Sequence, residues 1–339
     1  MQTDNLSIVV GGGKRIEFAD VLKGLAIFFV AYMHCLECVK GQYFGEPGIM
    51  EDRLFAFVLS FHMPVFMMMS GFFSGSLKKQ SVGYLLKRRF IPILVPLILW
   101  TGLSSIWHPT WKLNLVYGVE YWFLNCVLVI YFLFFFIRFI PERLEGVFCI
   151  ILCAVTMLTS KFTYAHVNSM IPFFCLGYFI KKYYEVIRKK SKHICWVSFL
   201  VFCVMSVFWD IKWTIYLTPI HLLSNSPQEI VHIVYRLIIG AAGALFLFTL
   251  CNLIYNSIKQ SKITKWLEWM GKYTLAIYII HYFFYWVYFL PSCATGIIFI
   301  DDYLITPLYT AVLILLCALI IRIVKTNKYF AYAIIGEKL

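Results

Sequence analysis

Charge is what this sequence has least of. Asp, Glu, Lys and Arg make up 14% of its 339 residues, against about 25% in an ordinary globular domain. Mean hydropathy is +0.79. So little polar surface cannot clothe a water-soluble body, which excludes a soluble enzyme or carrier. Residues 1–13 lack a basic segment followed by an apolar run, so no cleavable leader is expected and Gly11-Gly12-Gly13 reads as a flexible lead-in. No repeat of 20–50 residues and no pair of matching halves is present, which counts against most transporter folds. A second pair of metal ligands is missing too. His34, Cys35 and Cys38 spell H-C-x-x-C, but nothing elsewhere completes a zinc spacing, and no metal is expected. Most of the eleven cysteines lie in apolar runs, where cysteine behaves as a small hydrophobe.

What is present is 61% hydrophobic residues, laid out in blocks of roughly 20, the length that spans a hydrocarbon core of about 30 Å. Ten apolar spans can be marked: 18–39, 53–75, 90–107, 119–137, 146–160, 168–180, 194–209, 230–250, 268–290 and 303–321. Pro92, Pro96, Pro172 and Pro307 fall within or at the start of spans, where buried polar partners must satisfy the freed carbonyls. With the N-terminus inside, the inner connections hold 22 Lys and Arg and the outer ones five. Such a bias makes both termini cytoplasmic. The net charge of +13 is therefore mainly a topology signal. It is spread over every inner loop and forms no nucleic-acid patch. The expected fold is an all-α, polytopic membrane bundle of about ten transmembrane helices.

Ionisable residues inside spans cost about 2.5–3.5 kcal/mol each on insertion scales, so each is a functional candidate. Lys23 and His34 are eleven residues apart, which puts them about 20° apart in azimuth and about 16 Å apart along a helix. Asp20 lies one turn below Lys23 and can pair with it. The bland alternative is a snorkelling lysine and a histidine satisfied within the bundle; the alignment of all three favours function. Depth counting places His34 about 24 Å above the inner boundary, with His281, Arg236, His62 and Glu120 at comparable height. Five such groups in the outer half suggest a polar cavity reached from outside. The run Phe61-His62-Met63-Pro64 leading to Ser70-Gly71 combines a mid-span proline with small residues that permit close approach of a backbone or a slim ligand.

Arg15-x4-Asp20-x2-Lys23-Gly24 leading to His34, the F-H-M-P-x-F run ending in Ser70-Gly71-Phe72, Tyr121-Trp122-Phe123-Leu124, and Gly271-Lys272-Tyr273-Thr274-Leu275-x2-Tyr278-x2-His281 occur in that order. Together they resemble the acyltransferase 3 family of bacterial membrane O-acyltransferases, over about residues 14–323, and most closely its branch related to fucose 4-O-acetylase. Two departures stand out. The basic residue of the first helix is Lys where Arg is also common, which replaces bidentate recognition by a point charge. The extracytoplasmic esterase-like domain that some members append is also lacking.

The resemblance implies a lead-in over 1–13, a transmembrane acyltransferase domain over 14–325 and a cytoplasmic tail over 326–339. It implies transfer of an acyl group, acetyl in the first instance, from acyl-CoA to a hydroxyl of an envelope glycan or glycolipid. The setting would be the bacterial inner membrane, with membrane lipids around the protein and no nucleic acid or metal. Such chemistry needs a base for the hydroxyl and stabilisation of an oxyanion. His34 is the expected base, with Lys23 and Asp20 on its face; direct transfer and an acyl-histidine intermediate both stay open. Lys87, Arg88 and Arg89 could hold coenzyme A phosphates, with Ser70 and Gly71 along its path. His62, Glu120, Trp122, Arg236 and His281 could bind the acceptor or the oxyanion. The rival readings are a transporter or flippase lined by the intramembrane charges, and a non-catalytic sensor.

Overall fold

The computed structural model describes residues 16–78, 80–107, 121–159, 165–286 and 291–337. Among them the regular structure is all helical, with no strand. The lead-in over 1–13 and Glu120 lie outside the described residues. The first half comprises α1 (Glu17–Lys40), α2 (Pro47–Met50), α3 (Arg53–Leu59), α4 (His62–Phe72), α5 (Val82–Leu85), α6 (Ile91–Trp107), α7 (Trp122–Phe134) and α8 (Glu145–Leu158). The second half comprises α9 (Val167–Lys182), α10 (Tyr184–Lys189), α11 (Ser191–Val207), α12 (Pro227–Ile258), α13 (Lys262–Lys272) and α14 (Thr274–Trp286). It closes with α15 (Ile298–Ile300), α16 (Thr306–Val324) and α17 (Lys328–Ile335).

The described parts of the ten apolar blocks are largely helical, and the block at 268–290 divides between α13 and α14. Five stretches among the described residues are long and apolar enough to cross a membrane: Glu17–Lys40, Arg53–Gly75, Trp122–Phe139, Pro227–Ile258 and Ile298–Val324. Shorter apolar helices occupy Ser191–Val207 and Thr274–Tyr285. The first two long stretches are 72% and 78% buried, whereas Ile298–Val324 is 33% buried. Thus α1 and α3–α4 form the middle of the bundle and α16 its rim, where Leu308, Leu315 and Ile323 are exposed. An apolar rim of this kind suits lipid, not water.

Glycine sets the spacing around α1. A Cβ on Gly24 would lie 1.9 Å from the Leu267 carbonyl oxygen, and one on Gly271 would lie 1.8 Å from that of Asp20. The two glycines let the backbones of α1 and α13 touch, as small residues do at membrane helix crossings. Gly71 and Gly177 do the same for α4 and α9: their Cβ atoms would meet the carbonyl oxygens of Phe174 and Met68 at 1.9 and 1.8 Å.

The block at 53–75 differs from its expected form. It is a broken helix, with α3 ending at Leu59 and α4 opening at His62. Pro64 therefore lies in the first turn of α4, where its missing N–H removes no helical bond. The carbonyls freed at the break find partners nearby. Ser60 Oγ donates to Phe57 O at 2.7 Å, and His62 Nδ1 contacts Val58 O at 2.7 Å.

Candidate functional site

Helix α1 carries a charged group near each end, and a different environment surrounds each. At its start Lys23 Nζ pairs with Asp20 Oδ1 at 2.8 Å and lies 5.5 Å from the centre of the Phe73 ring. Both residues line a cavity of about 760 Å³, within the usual size of a cofactor site. Helix α4 contributes Ser70 to its wall, and the segment leading into α6 contributes Arg88 and Arg89. Lys272 lines it because the close approaches of Gly24 to Leu267 and of Gly271 to Asp20 draw α13 against α1. The cavity runs up between the helices as far as Ile27, Met63 and Tyr278. Ile27 is seven residues, or about 10 Å, short of His34.

Near the far end of α1, His34 Nδ1 is 3.1 Å from Glu37 Oε2, one turn along the helix. Glu37 is buried, and its second oxygen accepts the Phe44 N–H at 2.9 Å. A carboxylate on Nδ1 fixes the tautomer with Nδ1–H and leaves Nε2 as a proton acceptor, the arrangement a general base needs. The His34 side chain keeps 24% exposure, so it is reachable. Its ring sits 4.4 Å from that of Tyr285, 5.2 Å from Tyr282 and 5.6 Å from His281. Tyr278, at the upper limit of the large cavity, is 5.9 Å from His281, ring centre to ring centre.

His281 is fully buried. Its Nδ1 is 2.7 Å from Ile277 O, and its Nε2 has no hydrogen-bond partner among the described residues. A proton on Nδ1 leaves that Nε2 a buried acceptor awaiting a donor. His62 and Arg236 line a second cavity of about 20 Å³ together with Ser60, Ser169 and Thr214. Such a space holds a single water and excludes a sugar ring. Arg236 Nη1 donates to Trp213 O at 2.9 Å and to Thr218 O at 2.7 Å. Met63 borders both cavities.

The expectations sort accordingly. Lys23, Asp20, Ser70, Arg88 and Arg89 share one cavity, whereas Lys87 is exposed and outside its lining. Gly71 is no part of that path: its bare Cα faces the Phe174 backbone. Asp20 belongs with the large cavity, fourteen residues and about 21 Å from His34. Of the residues expected at one height, His34 packs beside His281, and His62 and Arg236 share the small cavity. Trp122 packs against His166 at 4.8 Å and Tyr216 at 6.1 Å. Glu37 escaped the sequence reading, although His34-x-x-Glu37 is a one-turn spacing that can bring the two side chains together.

A family model described as an acyltransferase domain, that of the acyltransferase 3 family, matches residues 16–322. The chain belongs to this family. Among curated relatives, the nodulation protein NolL of Sinorhizobium fredii is 25% identical over 316 residues, which cover 81% of this chain and 79% of NolL. No solved structure matches. The acyltransferase 3 match takes in every element that lines the His34–Glu37 pair and ends before α17.

Proposed function

We propose that this protein is a membrane O-acyltransferase that takes an acyl group, acetyl in the first instance, from cytosolic acyl-CoA. The acceptor is a hydroxyl of an extracytoplasmic envelope glycan or glycolipid. The observation that carries the reading is the His34–Glu37 pair, 3.1 Å apart, on the same helix as the cationic 760 Å³ cavity but at its other end. With ten spans and both termini inside, the cationic end faces the cytosol, the source of acyl-CoA, in a bacterial inner membrane.

In this reading Arg88, Arg89 and Lys272 hold the coenzyme phosphates, with guanidinium forks suited to phosphate oxygens. The pantetheine arm runs past Lys23 and Ser70 toward Met63 and Tyr278. His34 Nε2 removes the acceptor proton as the hydroxyl oxygen attacks the thioester carbonyl. The tetrahedral adduct collapses, the carbon–sulfur bond breaks, and the imidazolium returns the proton to the leaving thiolate. Glu37 holds the imidazole in place and stabilises its cation. His281 Nε2 can only accept while Nδ1 holds the proton, so its partner is a second hydroxyl of the acceptor, not the attacking one and not the oxyanion. Around a space fit for one water, His62 ties the start of α4 to the Val58 carbonyl of α3, and Arg236 holds the segment from Trp213 to Thr218.

The purified chain in nanodiscs, given acetyl-CoA and an extract of envelope glycans, should release coenzyme A thiol and label the glycan. Release without labelled glycan would point to hydrolysis, and no release with any acyl-CoA would end the donor reading.

A further inference from the structure

The segment beyond the family match does not hang free. It folds back as α17, which packs on α6, α14 and α16. Trp100 Nε1 donates to Ile334 O at 2.8 Å, and Ala331 and Ile335 are buried. The helix ends on Gly336 in the left-handed region, φ +67°, where a Cβ would lie 2.1 Å from Pro92 O. Only glycine fits both the conformation and the space. Glu337 N–H closes the turn onto Ala331 O at 3.1 Å. The chain is thereby aimed back into the large cavity, which Ile335, Gly336 and Glu337 all line.

Five basic side chains and two carboxylates line that cavity. One carboxylate, Asp20, is matched locally by Lys23. The other, Glu337, is 88% buried by side chain and reaches Lys325 Nζ at 2.7 Å. Lys325 also donates to the Tyr273 hydroxyl at 2.7 Å and lies 4.8 Å from that ring's centre. A lysine so held, in the same cavity as Lys272, Arg88 and Arg89, is placed to take a phosphate. A tail carboxylate stands where that phosphate would be.

Building on the donor reading above, we infer that Lys325 is a phosphate-binding residue of the acyl-CoA site, and that Glu337 acts as a built-in competitor which the donor's phosphates displace. The exchange trades one carboxylate for a more highly charged anion, so it is reversible and sensitive to salt. It would keep Lys325 paired while no donor is bound and would discriminate against weakly charged thioesters.

The test is titration of free coenzyme A into the full-length chain in nanodiscs, with binding followed by calorimetry. Glu337→Gln should tighten Kd by about three- to tenfold, and Lys325→Gln should weaken it by a similar factor, as for partly exposed charge pairs. With Lys325→Gln already in place, adding Glu337→Gln should change little, because the two act through one contact. A folded Glu337→Gln protein with unchanged or weaker affinity overturns the inference and leaves the donor reading intact. No coenzyme A binding by the wild type removes the donor reading and the inference with it. Should Glu337→Gln fail to fold, hydrogen exchange on the wild type decides: coenzyme A should speed exchange of the Glu337 amide, and unchanged protection at saturation overturns the proposal.

Discussion

His34 and Glu37 stand one turn apart on α1, with Nδ1 3.1 Å from Oε2, and the carboxylate is buried while the imidazole keeps an exposed edge. The imidazole is open to a substrate and its carboxylate partner is shielded from water, so the pair holds one tautomer. His34→Ala should lower turnover by about 10²–10⁴-fold, the usual span of general base catalysis, in protein that still inserts and folds. Steady-state rates on purified protein are the check. Retention of more than about a tenth of wild-type turnover would take the base role from His34.

Glu37 acts through His34, and its loss should look different. Glu37→Gln removes the charge, keeps the shape and can still bond to Phe44 N–H. We expect kcat to fall with the donor KM unchanged. A merely structural Glu37 would lower the yield of folded protein and leave the kcat of the survivors in place.

Arg88 and Arg89 line the cavity and Lys87 does not. Changing both arginines to Gln should raise the apparent KM for acyl-CoA by about tenfold or more, as befits loss of charge-assisted bonds. Lys87→Gln should leave it alone. Equal effects of all three, or of none, would return the triplet to a role in topology.

Neighbouring residues on α4 should part company. Ser70→Leu puts bulk into the cavity and should weaken donor binding with little change in thermal stability. Gly71→Leu forces a side chain against the Phe174 carbonyl, where a Cβ has only 1.9 Å. It should destabilise the bundle by about 1–3 kcal/mol or more, the cost of overpacking. Thermal unfolding together with coenzyme A titration separates the two. A stable Gly71→Leu protein with impaired donor binding would put Gly71 back on the donor path.

Much of this was legible in the sequence because membranes impose simple rules. Blocks of apolar residues mark helices, and the spacing from Lys23 to His34 places two polar groups on one face whatever surrounds them. The break after Leu59 was not legible, since Pro64 reads equally well as a mid-helix kink or as a first-turn residue. Glu37 lies near the end of an apolar block, where a carboxylate ordinarily marks the water boundary, so its burial against His34 went unseen. Depth counting along each helix gives no azimuth between helices, so it could not tell which of His62, His281 and Arg236 packs beside His34. The pairing of Lys325 with Glu337 depends on the left-handed turn at Gly336 and on how α17 returns to α6, which no local pattern encodes.

The central claim is that donor and acceptor reach α1 from opposite faces of the membrane. Proteoliposomes of defined orientation measure this directly: impermeant acyl-CoA is supplied to the face bearing Arg88 and Arg89, and an impermeant glycan acceptor to the other. Transfer should be efficient in this arrangement and absent when the two substrates are exchanged between faces. Efficient transfer only when both substrates share one face would contradict the account.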